Sequence, residues 1–371
     1  MTPLRIGIDA RAAAEVPAGR GRYVRELLRA LAKRDDPHRY LLYTRRGWDE
    51  PLDDRFSWRE RDLPESVWHL HAAHAANGEC DVFLATNSYV TPWFLRIRTV
   101  LVVHDLIPFQ TNVRANRRAA IIERLTIRRA LQRASLIVCD SYSTRRDLLR
   151  LWPSTESKSE VVQLAVSESF SHRRDQGTLE EVRSRHGLSK PFVLCVGTLE
   201  PRKNLVRVLD AYARLPERLR ASHLLVLVGP RGWEFDEILE RAGALDERVK
   251  LLGHVPDDDL AALYALCDVF CYPSLYEGFG LPLLEAMSAG APSITSNLSS
   301  LPEVGGDAVA YVDPTSVDEI LAALVHLLDS PEEREALSVR ARQNAAAFSW
   351  ERTAEEVARL LTAVGCRGGA S

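Results

Sequence analysis

Glu277 and Glu285 lie eight residues apart in the run Ser-Leu-Tyr-Glu-Gly-Phe-Gly-Leu-Pro-Leu-Leu-Glu-Ala, which follows an apolar stretch predicted as a buried strand. The glycines between them let the backbone approach a ligand closely, and the helix predicted next offers unpaired N–H groups to a phosphate. A carboxylate accepts several hydrogen bonds, so Glu285 suits the hydroxyl pair of a ribose. A single acid at a helix start usually only pairs with the helix dipole. Two acids around a glycine-containing loop instead predict a binding site.

A pair of cations, Arg202 and Lys203, follows another predicted strand that ends at Gly197. Arginine supplies a planar fork of donors and lysine a compact charge, and the two together suit a diphosphate. The alternative is a solvated basic loop. The strand end before the pair and the acidic surroundings of this half of the chain favour the diphosphate site.

The first half of the chain offers weaker candidates. His104 closes the predicted strand 99–104, where a polar ring serves a ligand or is paired as a structural histidine. The loop Gly19–Gly21 precedes a predicted helix, but it lies some ten residues after the first strand and is not the dinucleotide fingerprint. We expect it to be a glycine loop at a helix N-terminus.

No metal site is predicted. The histidines of 68–74 do not match zinc spacing and are interpreted as part of a helix. The acidic run 257–259 is interpreted as a helix N-terminus. The six cysteines are scattered without a CxxC pair, which indicates free thiols in a reducing compartment.

Length and composition indicate a globular protein with two domains. The chain has 371 residues, of which 46% are hydrophobic and 27% charged, which excludes disordered, collagen-like and disulfide-held classes. We find neither a signal segment nor an apolar run long enough to cross a bilayer, so the sequence predicts a cytoplasmic protein.

The net charge of -3 hides an asymmetry. Residues 1–165 carry 27 basic and 20 acidic residues, whereas 166–371 carry 21 and 31. The densest basic stretch, 114–133, has seven arginines and one acid, Glu123, and several arginines share one face of a predicted helix. This face is either a solvated surface or a peripheral contact with anionic lipid at the inner membrane face. A nucleic-acid partner is not expected, because the whole chain is acidic and no nucleic-acid motif is present.

Short apolar runs alternate with helical stretches, which is typical of parallel α/β layers. The sequence predicts an α/β fold of two Rossmann-like, doubly wound domains that face each other across a cleft lined by the carboxyl ends of strands. The expected segments are a first domain over 1–166, a linker over 167–185, a second domain over 186–348, and a helix with tail over 349–371. The predicted strands are 6–9, 40–44, 82–85, 99–104, 136–139, 192–197, 223–228, 249–252, 269–272, 293–295 and 308–312.

Over nearly its whole length the chain resembles the retaining GT-B glycosyltransferases of family 4. The most specific element is Glu277-x7-Glu285. Supporting elements are Gly-Thr-Leu-Glu-Pro-Arg-Lys-Asn (197–204), Leu-Gly-His-Val-Pro (252–256), Ser-Leu-Pro-Glu-Val-Gly-Gly-Asp-Ala (300–308), Gly-Arg-Tyr (21–23) and His-Asp-Leu (104–106).

The resemblance implies a role for each candidate residue. Arg202 and Lys203 would hold the donor diphosphate, and Glu285 the ribose. Glu277 would address the donor sugar, and His104 would contact that sugar from the first, acceptor-binding domain. The loop Gly19–Gly21 would approach the phosphates and the acceptor, and the helix from Trp350 would cross back to the first domain. The remaining donor-binding candidates are Gly197, Val255, Phe279, Gly280 and Leu281.

The implied activity is retaining transfer of a hexose from a nucleotide-sugar to a glycan, lipid-linked or small-molecule acceptor. No metal or other cofactor is expected. GDP-mannose is the first expectation for the donor, and a UDP-sugar is the next. The alternatives are a nucleotide-sugar epimerase, a phosphorylase, and a binding protein without catalysis.

Overall fold

A computed structural model of the chain describes residues 3–16, 19–111, 113–114, 116–172 and 174–366. The described residues form two compact units. The first comprises Met1–Phe109, Arg117–Leu164 and Ser349–Ser371, and the second comprises Gln110–Asn116 and Ala165–Phe348.

The first unit is built on a parallel sheet with the strand order β3-β2-β1-β4-β5-β6-β7. Its central strands are apolar on both faces because helices pack on each side. The strands are β1 Arg5–Asp9, β2 Arg39–Thr44, β3 Phe56–Glu60, β4 Val82–Ala85, β5 Arg98–Val103, β6 Leu136–Cys139 and β7 Ser159–Val161. The helices are α1 Arg11–Glu15, α2 Arg20–Ala32, α3 Glu65–Glu79, α4 Arg117–Arg133, α5 Tyr142–Leu151 and α16 Trp350–Cys366.

The second unit repeats the plan with the parallel order β10-β9-β8-β11-β12-β13. Its strands are β8 Phe192–Val196, β9 Leu224–Val228, β10 Val249–Gly253, β11 Val269–Tyr272, β12 Ser293–Ser296 and β13 Ala310–Val312. Its helices are α6 Glu168–Ser171, α7 Gln176–Arg185, α8 Leu205–Ala213, α9 Glu217–Ser222, α10 Asp236–Gly243, α11 Asp257–Leu266, α12 Leu281–Ala289, α13 Leu301–Gly305, α14 Val317–Asp329 and α15 Pro331–Ala345.

These sheets confirm the predicted α/β class with two Rossmann-like domains. In each sheet the strand order reverses once, between β1 and β4 in the first unit and between β8 and β11 in the second. Open α/β sheets bind ligands outside the carboxyl ends of their strands at such a reversal. Each unit therefore carries its own place for a ligand.

Two observed strands have no counterpart in the sequence prediction, and the predicted linker contains helices. Edge strand β3 is largely exposed, and β7 has only three residues, so neither shows the apolar run of a central strand. Within 167–185, α6 buries Phe170 against the ring of Tyr264, and the Asp175 side chain caps α7 by accepting a hydrogen bond from the Thr178 N–H. One buried aromatic and one cap are enough to order this polar segment.

Helix α16 packs on α2, β4 and β5 of the first unit. At its start the Ser349 hydroxyl accepts a hydrogen bond from the Arg352 N–H at 3.2 Å, as a capping residue does. The Thr353 hydroxyl donates to the Gln163 carbonyl at 2.8 Å, and the Arg98 guanidinium donates to a carbonyl near the other end. Among the described residues, no helix combines the length and the apolar character that a membrane span requires.

Candidate active site

Arg202, Lys203 and Glu277 come together at the carboxyl end of the second sheet, at its strand reversal. A short 3-10 turn, Pro201–Lys203, follows β8 and carries both cations, and the loop after β11 carries Glu277. The Leu275 N–H donates to the Arg202 carbonyl at 2.9 Å and ties the turn to the loop. The structure thus places the three residues in one cluster, as expected for neighbouring strands of a parallel sheet.

Both cations bind the same carboxylate. Arg202 Nη1 lies 2.6 Å from Glu277 Oε2, and Lys203 Nζ lies 2.6 Å from Glu277 Oε1. The hydroxyl of Tyr272 accepts a hydrogen bond from Lys203 Nζ at 2.6 Å and donates to Glu277 Oε1 at 2.7 Å. Arg202 also donates to a carboxylate oxygen of Glu200 at 2.6 Å. The result is a cluster of alternating charges, nearly all of it buried.

Two serines hold the Glu277 loop in place. The Glu277 N–H donates to Ser299 Oγ at 2.9 Å, and the Ser300 hydroxyl donates to the carbonyls of Glu277 and Phe279. Neither serine was singled out from the sequence, nor were Tyr272 and Glu200. Ser300 is the first residue of the supporting motif 300–308, and Tyr272 is the last residue of the apolar run before the loop. These positions beside recognised motifs were the sequence features that could have pointed to the two residues.

Gly197 is needed because Lys203 packs directly against it. A Cβ atom at Gly197 would lie 2.9 Å from Lys203 Cε, which is closer than such atoms approach, and its φ of 142° is one that residues with side chains rarely adopt. The glycine therefore lets the lysine stem lie along the end of β8 and brings the ammonium group to Glu277.

The pKa directions describe a buried cluster in which two cations and two carboxylates interact strongly. Burial opposes ionisation of Glu277, but Arg202 and Lys203 outweigh it and lower the pKa of this carboxyl to about 2. Burial and the neighbouring Arg202 lower the pKa of Lys203 despite the attraction of Glu277. Burial also opposes the charge of Arg202, but Glu277 and Glu200 raise its pKa. Because burial is the largest cause of the lowered pKa of Lys203, an anionic ligand close to this ammonium group would favour its charged form.

Glu285 is buried on the helix that follows the Glu277 loop. It lies one turn inside α12, which begins at Leu281, and its side chain is buried at 2% exposure. The Tyr264 hydroxyl donates to Glu285 Oε2 at 3.2 Å. With Gly280 as the N-cap, Glu285 is the fifth residue of the helix and lies just past its first turn, in agreement with the expectation of an acid near the helix start. Its ribose role stays a prediction.

The other donor-binding candidates surround the same edge of the second sheet. Phe279 is buried with its ring 6.0 Å from that of Phe348, and Gly280 is the left-handed residue that caps α12. Leu281 is the first, half-buried residue of this helix. Val255 is buried between the end of β10 and the start of α11.

In the first unit, both ring nitrogens of His104 are paired. Nδ1 lies 2.7 Å from Asp140 Oδ2 and Nε2 lies 2.8 Å from the Thr86 carbonyl oxygen. Both partners are hydrogen-bond acceptors, so each ring nitrogen faces an acceptor oxygen. The ring of Tyr23 stands edge-on at 5.0 Å. His104 therefore has the environment of an oriented histidine, and its contact with a sugar stays a prediction.

The predicted loop Gly19–Gly21 is already helical from Arg20 onward. Gly21 lies in the first turn of α2, where a Cβ atom would stand 1.7 Å from the Val16 carbonyl oxygen, so this glycine serves backbone packing. Gly19 is exposed and occupies the N-cap of α2. The two glycines thus lie at a helix N-terminus, as expected, with Gly19 before the helix and Gly21 inside its first turn.

Among the described residues, no three histidine, cysteine or acidic side chains are grouped to hold a metal ion. The segment with the three histidines is helical, as predicted, and His69 Nδ1 lies 2.8 Å from the Thr91 hydroxyl. The acidic run opens α11, where Asp259 pairs with Arg185 and His186.

Two Rossmann-like units, with buried cations and a carboxylate at the strand reversal of the second, define the GT-B class of glycosyltransferase. Two family models together span most of the chain: "Glycosyltransferase Family 4" matches residues 17–170, and "Glycosyl transferases group 1" matches 179–344. O-antigen chain mannosyltransferase B of Escherichia coli is 38% identical over 301 residues, which is 80% of this chain and 74% of the relative. The chain belongs to the family 4 glycosyltransferases.

Further similarities agree with this assignment. The serotype-specific mannosyltransferase WbdA of Escherichia coli is 34% identical over 71% of this chain, although the match spans only 32% of that longer protein. The solved structure of sucrose-phosphate synthase from Thermosynechococcus elongatus superposes with a TM-score of 0.80 at 21% identity, covering 99% of this chain and 100% of that one. This structural likeness shows the fold. The protein is therefore a glycosyltransferase, as the sequence predicted.

Proposed function

We propose that this protein transfers a mannosyl residue from GDP-mannose to a glycan acceptor, free or lipid-linked, with retention of the anomeric configuration. The observation that carries the proposal is the pairing of Arg202 and Lys203 with one carboxylate, Glu277, at the strand reversal of the second unit. Two buried cations at the usual ligand position of such a sheet suit the diphosphate of a nucleotide-sugar.

In this proposal the diphosphate binds Arg202 and Lys203 and replaces part of their contact with Glu277. Because the diphosphate then pairs with the two cations, one carboxylate oxygen of Glu277 becomes free. This oxygen accepts hydrogen bonds from hydroxyls of the donor sugar. As the bond between the sugar and the diphosphate breaks, Arg202 and Lys203 stabilise the charge that grows on the leaving group. The positioned cations lower the barrier because they are already oriented before the reaction begins.

The proposal of mannose rests on the names of the relatives. The two curated proteins described above are both mannosyltransferases, and the first aligns over most of its own length. Retention of the anomeric configuration is inferred from the resemblance to the retaining family. The acceptor is expected to be a glycan because the first relative is named for O-antigen chains.

We also propose that the reaction needs no metal ion. Arg202 and Lys203 supply two positive charges where other transferases use a divalent cation to neutralise a diphosphate. A chelator such as EDTA should therefore leave the transfer rate unchanged, and rescue of a chelated enzyme by Mg²⁺ or Mn²⁺ would contradict this part.

A peripheral contact with anionic membrane at the cytoplasmic face is proposed for α4. Three apolar residues of this helix, Ile121, Ile122 and Leu125, are 59%, 52% and 71% exposed. Exposed arginines of the same helix surround them. Exposed apolar side chains beside cations suit the boundary between lipid headgroups and acyl chains, whereas a merely solvated helix has no need of them.

A donor screen tests the proposed function. GDP-, UDP- and dTDP-sugars are added to the full chain, thermal shifts are recorded, and the best donor is incubated with mannosyl acceptors while the anomeric signals are followed by NMR. We expect GDP-mannose to give the largest shift and a product with retained configuration. An epimer formed from donor alone would favour an epimerase, and binding without hydrolysis or transfer would favour a non-catalytic protein.

A further inference from the structure

The hydroxyl group of Tyr272 connects Lys203 to Glu277. Lys203 Nζ donates a hydrogen bond to the Tyr272 hydroxyl oxygen at 2.6 Å, and the same hydroxyl donates to Glu277 Oε1 at 2.7 Å. Lys203 Nζ also donates to Glu277 Oε1 at 2.6 Å, so the three polar atoms form a closed triangle. A charged ammonium group has no lone pair, so the single hydrogen of the hydroxyl is directed to the carboxylate. Tyr272 is therefore a donor to one particular oxygen of Glu277.

The sheet fixes the position of this hydroxyl. Tyr272 is the last residue of β11, and its side chain is buried. Its ring stacks on that of Phe270, with the centroids 5.5 Å apart and the planes inclined by 19°. The Thr295 hydroxyl on β12 donates to the Tyr272 carbonyl oxygen at 2.9 Å. A strand thus holds the tyrosine from both its side chain and its backbone, whereas a loop carries Glu277.

The two carboxylate oxygens of Glu277 have different partners. Oε1 accepts hydrogen bonds from Tyr272 and Lys203, and Oε2 lies 2.6 Å from Arg202 Nη1. A diphosphate competes with this carboxylate for the two cations, because its oxygens accept the same charge-assisted hydrogen bonds. It competes much less for a neutral phenol. Oε1 therefore keeps the Tyr272 hydroxyl when the cations turn to a diphosphate, whereas Oε2 gives up its contact with Arg202.

The protonation states of Tyr272 and Glu277 suit this hydrogen bond. Burial, followed by the negative charge of Glu277, raises the pKa of the Tyr272 hydroxyl well above its ordinary value of 10. Burial opposes ionisation of Glu277, but Arg202 and Lys203 lower the pKa of its carboxyl to about 2. At neutral pH a protonated phenol thus faces an ionised carboxylate, and such charge-assisted hydrogen bonds are stronger than those between neutral groups.

We infer that Tyr272 is a positioning residue of the donor site, which holds Glu277 Oε1 so that Oε2 is the oxygen that accepts hydrogen bonds from the donor sugar. The inference rests on the proposed function, because it specifies how Glu277 meets that sugar. Tyr272 acts through Glu277 and not by contact with the donor. Without the hydroxyl, Oε1 loses the donor that stays in place when the cations bind the diphosphate, and the carboxylate is free to rotate away from the sugar.

The ring of Tyr272 has a second role that can be separated from the first. Lys203 Nζ lies 4.8 Å from the centroid of this ring, within the range of a cation–π interaction. Tyr272→Phe keeps the ring beside the ammonium group and removes only the hydroxyl. This variant therefore removes the hydrogen bond to Glu277 while it retains aromatic support for Lys203.

The test measures the affinities of GDP and GDP-mannose by calorimetric titration in wild type, Tyr272→Phe and Tyr212→Phe. Tyr212 is the matched control, because it is a buried tyrosine of the same unit whose hydroxyl donates to the His223 carbonyl at 2.6 Å. We expect Tyr272→Phe to weaken GDP-mannose binding about tenfold and to leave GDP binding nearly unchanged, since only the sugar depends on the orientation of Glu277. The control should bind both ligands as wild type does.

A double-mutant cycle tests whether Tyr272 acts through Glu277. Glu277→Gln should itself weaken GDP-mannose binding. Tyr272→Phe should then add little further loss in the Glu277→Gln background, because both substitutions affect the same contact. Losses that add independently would overturn the inference.

Two further results would overturn it. They are equal weakening of GDP and GDP-mannose in Tyr272→Phe, which would assign the hydroxyl to Lys203 alone, and unchanged affinity for both ligands. If Tyr272→Phe does not fold, a crystal structure of wild type with GDP-mannose decides: we expect Glu277 Oε1 on the Tyr272 hydroxyl and Oε2 on the sugar, and the reverse arrangement would contradict the inference.

The wild-type titrations keep this inference apart from the proposed function. Wild type that binds neither GDP nor GDP-mannose would reject the proposed function, and the role of Tyr272 with it. Wild type that binds both, together with a Tyr272→Phe variant of unaltered affinities, would reject only the role of Tyr272.

Discussion

The ammonium group of Lys203 is buried between Glu277, Tyr272 and the guanidinium of Arg202. At the level of single residues, the proposed chemistry depends on its charge, because a neutral amine would neither bind nor stabilise a diphosphate. Arg202 stays charged at any pH at which the protein is folded. At high pH, Lys203 therefore loses its positive charge, whereas Arg202 keeps its own.

This difference predicts an alkaline limit to donor use. Burial, together with Arg202, lowers the pKa of Lys203 from its ordinary value of 10.5. A lysine with a lowered pKa loses its proton earlier as the pH rises, so kcat/KM for the donor should fall at a pH below 10.5. Measurement of kcat/KM against pH, with circular dichroism at each pH as a control for unfolding, checks this. A rate that stays constant to pH 10.5 in folded protein would contradict it.

Residue types and motif spacing predicted the cations and Glu277, because these side chains follow strand ends that can be recognised from apolar runs. The same reasoning missed Tyr272 and Ser299, since a hydroxyl inside an apolar run and a serine in a loop have no distinctive spacing.

Among the elements, the end of β8 and the turn that follows it position both cations. Gly197 comes directly after the strand, the turn begins four residues later at Pro201, and Lys203 packs against that glycine. A side chain at this position would have to displace the lysine stem or the backbone.

Gly197→Ala should therefore reduce donor affinity strongly, by about tenfold or more, because the displaced ammonium loses a charge-assisted hydrogen bond. The matched control is Gly243→Ala in α10, where a Cβ atom would meet nothing within 4 Å. This control should bind donor as wild type does and gain slight helix stability. Calorimetric titration with the donor gives both affinities. Equal affinities for the two variants would show that the packing of Lys203 on Gly197 is unimportant.

Most central strands were predicted within about two residues from their apolar runs, because buried parallel strands have a clear pattern. The failures share a cause. Edge strand β3 and the three-residue β7 bury little apolar surface, and helices α6 and α7 depend on a single aromatic or a single cap. The close approach of Gly21 to the Val16 carbonyl had no sequence signal, because it depends on how α1 and α2 pack on each other.

At the scale of the whole molecule, charge is distributed unevenly. The first 165 residues are net basic and the rest net acidic, while the overall charge is -3. The buried cations Arg202 and Lys203 thus lie in the acidic part of the chain, and the exposed arginines of α4 lie in the basic part. The alternation of strands and helices predicted this two-unit fold, whereas no residue pattern in the sequence distinguished one donor base from another.

The exposed face of α4 predicts preferential binding to anionic membrane. In co-sedimentation with vesicles, the full chain should bind those containing phosphatidylglycerol more strongly than pure phosphatidylcholine, because each arginine near such a surface contributes about 1 kcal/mol. Leu125→Ser should weaken this binding, since Leu125 is 71% exposed. The control Leu251→Ser replaces a leucine in β10 that is 42% exposed and should leave binding unchanged. Equal binding to both kinds of vesicle, or none to either, would contradict the prediction.

The most direct test of the donor site compares the diphosphate and the monophosphate of the nucleoside selected in the donor screen, titrated into wild type, Lys203→Met and Lys190→Met. Lys190 is exposed and bonded to a backbone carbonyl, so it serves as the matched control. Wild type and control should prefer the diphosphate by about tenfold or more, and Lys203→Met should lose most of that preference while it still binds the monophosphate. A Lys203→Met variant that keeps the full preference would contradict the assignment of the cation cluster to the donor diphosphate.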